Sequence, residues 1–478
     1  MVLNAAVALA APQPTAATTF YTSAELAASD RAATPLLSIA GKVYNVAPLL
    51  ASHPGGPAVL AALLGRDATD VFLNSHPDHV AALLPSLCVG SLSDHAVDPA
   101  TRDYRALRAA LQAEGAFEPN SSAARAYYAA AGARAAALLA AALGCVLGSA
   151  HWGAHLLGGA LLGAFWQQLA FIGHDLGHNG VSGVRATDMA RGLLFGPALT
   201  GISFSWWKST HNAHHVDTNS ATNDPDVQYA PLLAVSAHAF ASPWSAYHKK
   251  RLSFGGCARA AVASQHVFFY PLMFFARWNL YFQGVCGLVL GVRTRAAAAE
   301  AGALCFFFAW VGALVAAVGR GEGGLVAALA VRAGFLLLCN GVAGALHVQI
   351  VLSHFSQPTV PGRSADGAGS FLQRQFAATL NVSLPPWADF SFGGLQWQVE
   401  HHLFPRLPAH ALRGVAPRVR ALAAAHGFPY HTATFSEANA RLYSTLRRTA
   451  AEAEKLDWRA LDARVLDARL LDALALRG

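Results

Sequence analysis

The sequence QVEHH at residues 398–402 places a glutamine three residues before two adjacent histidines. A second segment, HNAHH at residues 211–215, has the same spacing with His211 in the position of Gln398. A third segment, HDLGH at residues 174–178, has two histidines one helical turn apart. Because positions three and four residues apart share one face of a helix, each segment directs its histidines towards a common point.

These three histidine segments are too rich in histidine to be a chance arrangement. The chain has 21 histidines in 478 residues, so fifteen residues should hold fewer than one, whereas the three segments hold seven. One zinc ion takes about four ligands, so seven convergent imidazoles predict two metal ions. Iron suits such a ligand set when the site must also bind oxygen.

The composition of the chain predicts a membrane protein. Hydrophobic residues make up 54% of the sequence, charged residues make up 13%, and the mean hydropathy is +0.34. A soluble domain of this length is rarely so apolar. The net charge of +7 comes from scattered basic residues, which a membrane protein most simply keeps on its cytosolic face. Nucleic-acid binding is therefore a poor interpretation of that charge.

Four apolar stretches are long enough to cross a bilayer, which takes about 20 residues. They lie at residues 133–150, 154–172, 302–319 and 324–346. A fifth stretch, residues 261–291, is interrupted by polar side chains, so we expect it to lie in the membrane interface. Two hairpins of spans would return all three histidine segments to one side of the membrane.

The segment before about residue 95 has ordinary polarity and predicts a small soluble α+β domain. In LLSIAGKVYNV, residues 36–46, Gly41 and Lys42 predict a tight connection between two strands. Residues 49–80 predict two short helices separated by turns rich in glycine and proline. The six cysteines are spread singly, which predicts reduced core residues, and residues 1–19 predict a disordered leader without a targeting signal.

The sequence HPGG at residues 53–56, with GKVYNV before it and GRDATDVF after it, resembles the cytochrome b5 domain. The resemblance implies a haem b whose axial ligands are His53 and His76. Two imidazoles leave the iron no open position, so such a haem carries electrons and does not bind oxygen. His79 is an alternative second ligand, but His76, four residues after Phe72, fits the resemblance better.

The three histidine segments, in this order and with these gaps, resemble the membrane fatty-acyl desaturase and hydroxylase superfamily over about residues 130–410. The resemblance implies two non-haem iron ions at the cytosolic edge of the bilayer, with no catalytic residues separate from the metal ligands. The implied ligands are His174, His178, His211, His214, His215, His354, His401 and His402. Gln398 is then a weak ligand or a hydrogen-bond partner of a neighbouring ligand.

Three further features between the segments have two interpretations each. In HVQIVLSHF, the resemblance favours His354 as a ligand and leaves His347 as a membrane-edge histidine bonded to a neighbour. The run Trp206-Trp207-Lys208 predicts an interfacial aromatic belt with a lysine that reaches the membrane surface, or else a contact with a lipid head group. The acidic segment at residues 223–229 is a solvated turn, or it provides hydrogen bonds to the ligand imidazoles.

A cytochrome b5 domain combined with a glutamine in the third segment resembles the front-end desaturase subfamily. The resemblance implies an O2-dependent desaturase that is reduced through its own haem domain by NADH-cytochrome b5 reductase. It also implies a multi-pass protein of the endoplasmic reticulum membrane, with the haem domain and the histidine segments facing the cytosol. We favour Δ8 desaturation of a sphingoid long-chain base. The alternatives are an acyl Δ6 or Δ5 desaturase, a lipid hydroxylase and a non-enzymatic metal transporter.

These interpretations predict a soluble α+β domain followed by an all-α membrane domain with about four spans and a cytosolic di-iron site. The predicted division of the chain is a cytochrome b5-like domain at 20–95, a linker at 96–130, a membrane desaturase domain at 131–425 and a helical cytosolic tail at 426–478.

Overall fold

The computed structural model describes residues 19–29, 34–290, 296–362, 369–457, 459–463 and 465. The predicted leader, residues 1–19, lies outside these residues except for its last position. The predicted tail lies within them only as far as residue 465.

The first domain has a four-stranded sheet in the order β1-β4-β3-β2. Its strands are β1 Phe20–Tyr21, β2 Leu36–Ile39, β3 Lys42–Asn45 and β4 Cys88–Leu92. Its α-helices are α1 Ser23–Ala28, α2 Pro57–Leu63 and α3 Thr69–Ser75. The predicted pair of strands and pair of helices are confirmed. The tight turn consists of Ala40 and Gly41, with φ angles of 50° and 72°, and Lys42 is already the first residue of β3.

Within the described residues, four helices are long and apolar enough to cross a membrane, as predicted. They are α5 Ser122–Leu147, α6 Trp152–Gly177, α11 Ala297–Ala317 and α12 Leu325–Phe355. Helix α5 begins earlier than the apolar stretch at 133–150 because the Ser121 side chain caps it by accepting a hydrogen bond from the Ala124 N–H. The helix therefore includes polar residues before position 133, where the hydropathy pattern placed the start of the apolar stretch.

Small residues allow α6 to pack closely between α5 and α12. A side chain at Gly158 would meet Val146 of α5 at 2.8 Å. On the other side of the helix, a side chain at Gly163 would meet the backbone oxygen of Cys339 in α12 at 2.5 Å. Close backbone approach of this kind is the usual basis of helix packing in membranes.

The apolar stretch at 261–291 forms one helix, α10 Gln265–Leu290. It is not among the four helices that meet the criteria for a span. At its start, Gln265 Nε2 donates to the backbone oxygen of Leu446 at 2.9 Å, and near its end Gly284 packs against Ser203. Both ends thus contact segments on the side of the histidines.

Shorter elements on the same side connect and cover the spans. The helices are α4 Pro99–Ala113, α7 Arg185–Leu193, α8 Phe204–Val216, α9 Gly256–Ala263, α13 Phe371–Ala378, α14 Gln398–Leu403, α15 Ala409–Ala425 and α16 Phe435–Glu454. The strands pair as β5 Trp244–Ser245 with β6 Lys250–Arg251, and as β7 Asn381–Ser383 with β8 Thr432–Thr434.

Helix α16 is part of the membrane domain and does not extend from it. Leu442 and Leu446 are fully buried in a cluster that includes Phe269 of α10 and Leu352 of α12. Positions four residues apart on one helix form a continuous apolar face, and here that face is covered. The six cysteines are unpaired, as predicted, but only Cys339 is buried, so the expectation of core cysteines is wrong for the other five.

The first domain and the membrane domain share one hydrophobic core. Leu60 and Val71 of the first domain belong to the same buried cluster as Phe371 and Val419 of the membrane domain. Tyr104, in the linker helix α4, is fully buried between them. The linker therefore packs the two domains against each other.

Candidate metal centre and haem crevice

Five histidines from three helical segments form the first donor group. His174 and His178 come from the end of α6, His211 and His215 come from α8, and His401 comes from α14. One ring nitrogen from each of them lies within 4.8 Å of the corresponding nitrogens of the others. The convergence predicted from the helical spacing is confirmed.

The distances within this group fit a shared metal ion. His211 Nε2 lies 3.1 Å from His174 Nε2, 2.9 Å from His178 Nε2 and 3.1 Å from His215 Nε2. His401 Nε2 lies 3.0 Å from His215 Nε2. Two nitrogens bound at about 2.1 Å and at right angles to one ion would lie about 3 Å apart. Five imidazoles would leave an octahedral ion one further position.

His214, His354 and His402 form a second donor group, and all three are buried. Each Nδ1 atom faces an oxygen: the Asp224 carboxylate at 2.9 Å for His214, the Ala378 carbonyl at 3.3 Å for His354 and the Gln375 amide at 3.0 Å for His402. These acceptors fix the tautomer and leave each Nε2 atom for a metal. The His402 Nε2 atom is buried without a hydrogen-bond partner, which fits a role as a metal ligand.

Burial keeps most of these imidazoles in the neutral state that binds metals. It lowers the pKa well below its usual value for His178, His211, His215, His401 and His402, and neighbouring imidazoles lower it further. Burial has the same effect on His214, but the nearby carboxylate of Asp224 outweighs it and raises the pKa of His214. The Asp224 carboxylate therefore explains why the pKa of His214 is raised while the pKa of each of the other five imidazoles is lowered.

Gln398 and His347 differ in their relation to the two donor groups. Gln398 is buried, its Nε2 atom donates to the Leu395 carbonyl at 2.9 Å, and its side chain also contacts His354. His347 lies outside both donor groups, and its Nδ1 atom lies 3.1 Å from the Gly344 carbonyl. This contact agrees with the interpretation of His347 as a histidine bonded to a neighbour, while its Nε2 atom is buried without a hydrogen-bond partner.

The expectation of an interfacial aromatic belt is wrong for Trp207. Its indole stacks on the His211 ring at 4.6 Å between centroids and lies edge-on to His174 at 5.7 Å. Position 177 must be glycine, because a side chain there would meet the Trp207 ring at 2.3 Å. Trp207 lies one helical turn before His211 on α8, so the spacing was a usable signal for this stacking. The contact with His174 depends on how α8 packs against α6.

Two polar residues that contact the ligands were not identified from the sequence. Asp175 Oδ1 lies 3.2 Å from His174 Nδ1, and its Oδ2 accepts a hydrogen bond from Tyr128 at 2.8 Å. Its place inside HDLGH was a usable signal. Gln375 lies in α13, away from every histidine segment, so it offered none. The acidic segment at 223–229 was correctly considered as a source of hydrogen bonds, which Asp224 provides to His214.

His53 and His76 face each other across a crevice in the first domain. Their ring centroids are 5.9 Å apart, which leaves room for one metal atom between the rings. His76 Nδ1 lies 3.1 Å from the Phe72 carbonyl, and its ring stacks on Phe72. His79, the alternative ligand, is exposed. The residues present therefore fit a haem held by His53 and His76.

Comparison with known proteins agrees with both sites. A fatty acid desaturase family profile matches residues 150–434, and a cytochrome b5-like heme/steroid binding domain profile matches residues 22–93. A Delta(8)-fatty-acid desaturase from Helianthus annuus is 36% identical over 91% of this chain and 93% of its own length.

Two other relatives have related names. An acyl-lipid (9-3)-desaturase from Borago officinalis is 35% identical over 91% of this chain and 95% of its own length. A Delta 8-(E)-sphingolipid desaturase from Komagataella phaffii is 35% identical over 61% of this chain and 53% of its own length.

A cytochrome b5-like domain implies haem, and desaturases of the matched family use a di-iron centre, for which the two histidine groups are suited. The family profile covers more than half of the chain, and two of the relatives align over nearly all of it. The chain therefore belongs to the fatty acid desaturase family, as a membrane oxidoreductase that carries its own cytochrome b5-like domain.

Proposed function

We propose that the protein is a front-end lipid desaturase that introduces a Δ8 double bond into a sphingoid long-chain base. The observation that carries the proposal is the convergence of eight histidines into two adjacent donor groups beside a haem crevice. Relatives named Delta(8)-fatty-acid desaturase and Delta 8-(E)-sphingolipid desaturase support the choice of substrate and position.

We assign the five-histidine group to one iron ion and the three-histidine group to the other. Gln398 acts through its contact with His354, and the hydrogen bond from its amide nitrogen to the Leu395 carbonyl holds its side chain in place. His53 and His76 are the axial ligands of the haem. No separate catalytic residue is required.

The bound iron ions would supply the oxidising power to remove hydrogen from two unactivated methylene groups, which no amino-acid side chain has. The chain's own residues position and protect that site. Asp224 and Gln375 hold two imidazoles by their Nδ1 atoms, and Asp175 holds a third. Trp207 covers one face of His211 and excludes water from it.

The haem domain lies where it can pass electrons directly to the histidine groups. The Asn212 side chain, between His211 and His214 on α8, donates to the backbone oxygen of Gly55 in the HPGG loop. A small cavity lined by Asn74 and Ser75 of α3 on one side reaches His215 and His402 on the other. Fusion in one chain raises the effective concentration of the electron donor. The external reductant would be NADH-cytochrome b5 reductase.

We infer that the haem domain and both histidine groups face the cytosol of an endoplasmic reticulum membrane. α5 leaves from the side of the haem domain, and the four spans return the chain to that side at His354. Basic residues on this side agree with a cytosolic orientation. We divide the chain into a haem domain at 20–95, a linker at 96–130, a membrane domain at 131–425 and a tail at 426–478. Helix α16, which lies in this tail, packs into the membrane domain.

The second candidate function is acyl Δ6 or Δ5 desaturation, because the acyl-lipid (9-3)-desaturase is almost as similar as the Delta(8) relatives. Expression in a yeast that lacks both kinds of product separates them. Long-chain bases and fatty acids are profiled in parallel. New Δ8-unsaturated bases without new polyunsaturated fatty acids would support the proposal, and the reverse result would replace it with the acyl activity.

A lipid hydroxylase and a metal transporter are the remaining alternatives. A hydroxylase would release a hydroxylated lipid, so product analysis in the same yeast distinguishes it. A transporter would hold its metal within the spans, whereas both histidine groups lie at the ends of α6 and α12 or outside the spans. Lipid-dependent oxygen consumption would exclude the transporter.

A further inference from the structure

Thr218 and Asn219 follow the end of α8 and are buried beside the three-histidine group. Asn219 has a φ angle of 59°, a left-handed conformation that asparagine adopts more readily than most other residues. The chain then pairs with the segment after α12. The Val360 N–H donates to the Asn219 carbonyl at 3.0 Å, and the Ala221 N–H donates to the Val360 carbonyl at 2.8 Å. This turn therefore holds the end of α8 beside the end of α12.

The amide of Asn219 binds the segments that carry and orient His354. Its Nδ2 atom donates to the His354 carbonyl at 3.0 Å and to the Pro358 carbonyl at 3.2 Å. It also lies 3.5 Å from the Ala378 carbonyl, which is the oxygen that faces His354 Nδ1. The Asn219 Oδ1 atom is buried and has no hydrogen-bond partner among the described residues. The amide therefore acts through its donors, and these contact both the backbone of His354 and the acceptor of its ring.

The backbone of Asn219 reaches His214 through Asp224. The Asn219 N–H donates to Asp224 Oδ2 at 2.7 Å, and the same oxygen lies 2.9 Å from His214 Nδ1. A carboxylate oxygen can accept two hydrogen bonds, so both contacts form together. The bond from Asn219 thus holds the carboxylate at the position from which it orients His214.

The hydroxyl of Thr218 lies between His214 and His402. Its Oγ1 atom is 2.8 Å from the His214 carbonyl, to which it donates, and 3.2 Å from His402 Nδ1. It is also 3.1 Å from Gln375 Oε1, the acceptor that orients His402. A hydroxyl has one donor and two acceptor positions, which suits a place among several polar groups. The two adjacent residues therefore contact the outer side of all three histidines or their acceptors.

We propose that Thr218 and Asn219 are positioning residues that hold the three-histidine group in the geometry of an iron site. The inference rests on the proposed assignment of this group to one iron ion. Hydrogen-bond partners that orient metal ligands contribute to affinity, and the loss of one typically weakens metal binding about 10- to 100-fold. Within the described part of the chain, neither side chain forms a hydrogen bond to a histidine of the five-histidine group. Their loss should therefore affect one iron and spare the other.

The test is a titration of the full-length, iron-loaded protein in lipid nanodiscs with an iron chelator. Asn219→Gly keeps the left-handed backbone and the N–H bond to Asp224 but removes the amide. Thr218→Val removes the hydroxyl, and Thr218→Ser keeps it. Lys249→Gly is the matched control for a new glycine, because Lys249 is exposed and also has a left-handed conformation, with a φ angle of 50°.

Asn219→Gly and Thr218→Val should release one iron at about 10- to 100-fold lower chelator concentration than the wild type. The other iron should be released as in the wild type. Thr218→Ser and Lys249→Gly should keep most of the wild-type affinity for both irons. Iron Mössbauer spectra recorded during the titration distinguish the two ions, so a signal that stays unchanged while the other disappears identifies selective loss.

Release of both irons in parallel would overturn the proposal, because a general loss of folding weakens both groups alike. Release of both irons at the wild-type chelator concentration, in Asn219→Gly and in Thr218→Val, would also overturn it. The wild type tests the underlying assignment separately. Fewer than two non-haem irons per wild-type chain would contradict the proposed di-iron centre, and this inference with it.

Discussion

The side chain of Asn212 donates a hydrogen bond to the backbone oxygen of Gly55 at 3.3 Å. Asn212 lies between His211 and His214 on α8, and Gly55 lies two residues after His53. This contact therefore joins the loop that carries one proposed haem ligand directly to the helix that carries three of the proposed iron ligands. Position 55 favours glycine, because a side chain there would meet the His53 ring at 3.0 Å.

Replacing Asn212 by leucine should slow electron transfer within the chain several-fold without changing metal or haem content. The substitution removes the hydrogen bond and places an apolar side chain against the HPGG loop. Reoxidation of the reduced haem by oxygen and lipid substrate, followed by stopped-flow absorbance, measures the effect. Asn120→Leu, at an exposed position before α5, is the control. Equal rates in both variants and the wild type would show that this contact is not on the electron path.

Replacing Tyr104 by phenylalanine should destabilise the docked arrangement by about 1–3 kcal/mol. The Tyr104 hydroxyl donates to the Leu403 carbonyl at 2.7 Å and accepts from Asn74 Nδ2 at 2.7 Å, so its loss leaves two buried groups unpaired. Thermal unfolding followed by haem absorbance measures the change. Tyr443→Phe, which alters a side chain that is 41% exposed, should have little effect.

Replacing Asp224 by alanine should weaken metal binding at the three-histidine group by about 10- to 100-fold, because an orienting carboxylate is lost. Asp226→Ala is the matched control. The Asp226 carboxylate lies 3.8 Å from His214 Nδ1 and is 37% exposed, whereas that of Asp224 lies 2.9 Å away and is fully buried. Competition with a chelator, read as iron retained per chain, compares the two. Similar losses in both variants would contradict an orienting role specific to Asp224.

Replacing His53 by alanine should abolish turnover and the spectrum of a haem with two axial histidines, while the non-haem iron content stays unchanged. The His53 ring faces His76, and the histidine groups do not depend on it. His79→Ala should keep both haem and activity, because His79 is exposed. Loss of the haem spectrum in His79→Ala, and its retention in His53→Ala, would reverse the assignment of the ligands.

The spacing of the histidines predicted the main features of the site. Positions three and four residues apart on α8 share a face, and so the sequence alone was enough to predict that His211, His214 and His215 lie close together. The division into two groups could not be predicted, because His214 and His215 are adjacent in sequence yet belong to different groups. That division depends on the position of α12, which brings His354 to His214.

Sequence patterns could not predict the contacts between segments that are far apart in the chain. Gln375 meets His402, and Trp207 meets His174, only because α13 and α8 pack against α14 and α6 in three dimensions. A hydropathy pattern also treated the last helices as a tail, although Leu442 lies in the core of the membrane domain. Amphipathic helices have an apolar face, but the pattern does not show what covers it.

The central claim is that two iron ions bind to histidines that include His401, independently of the haem. The direct measurement is non-haem iron per chain, together with the haem spectrum and desaturation of lipid, in the wild type and in His401→Ala. The account predicts about two non-haem irons per chain in the wild type. In the variant it predicts loss of iron and of desaturation with an unchanged haem spectrum. Full activity and full iron content in His401→Ala would contradict it.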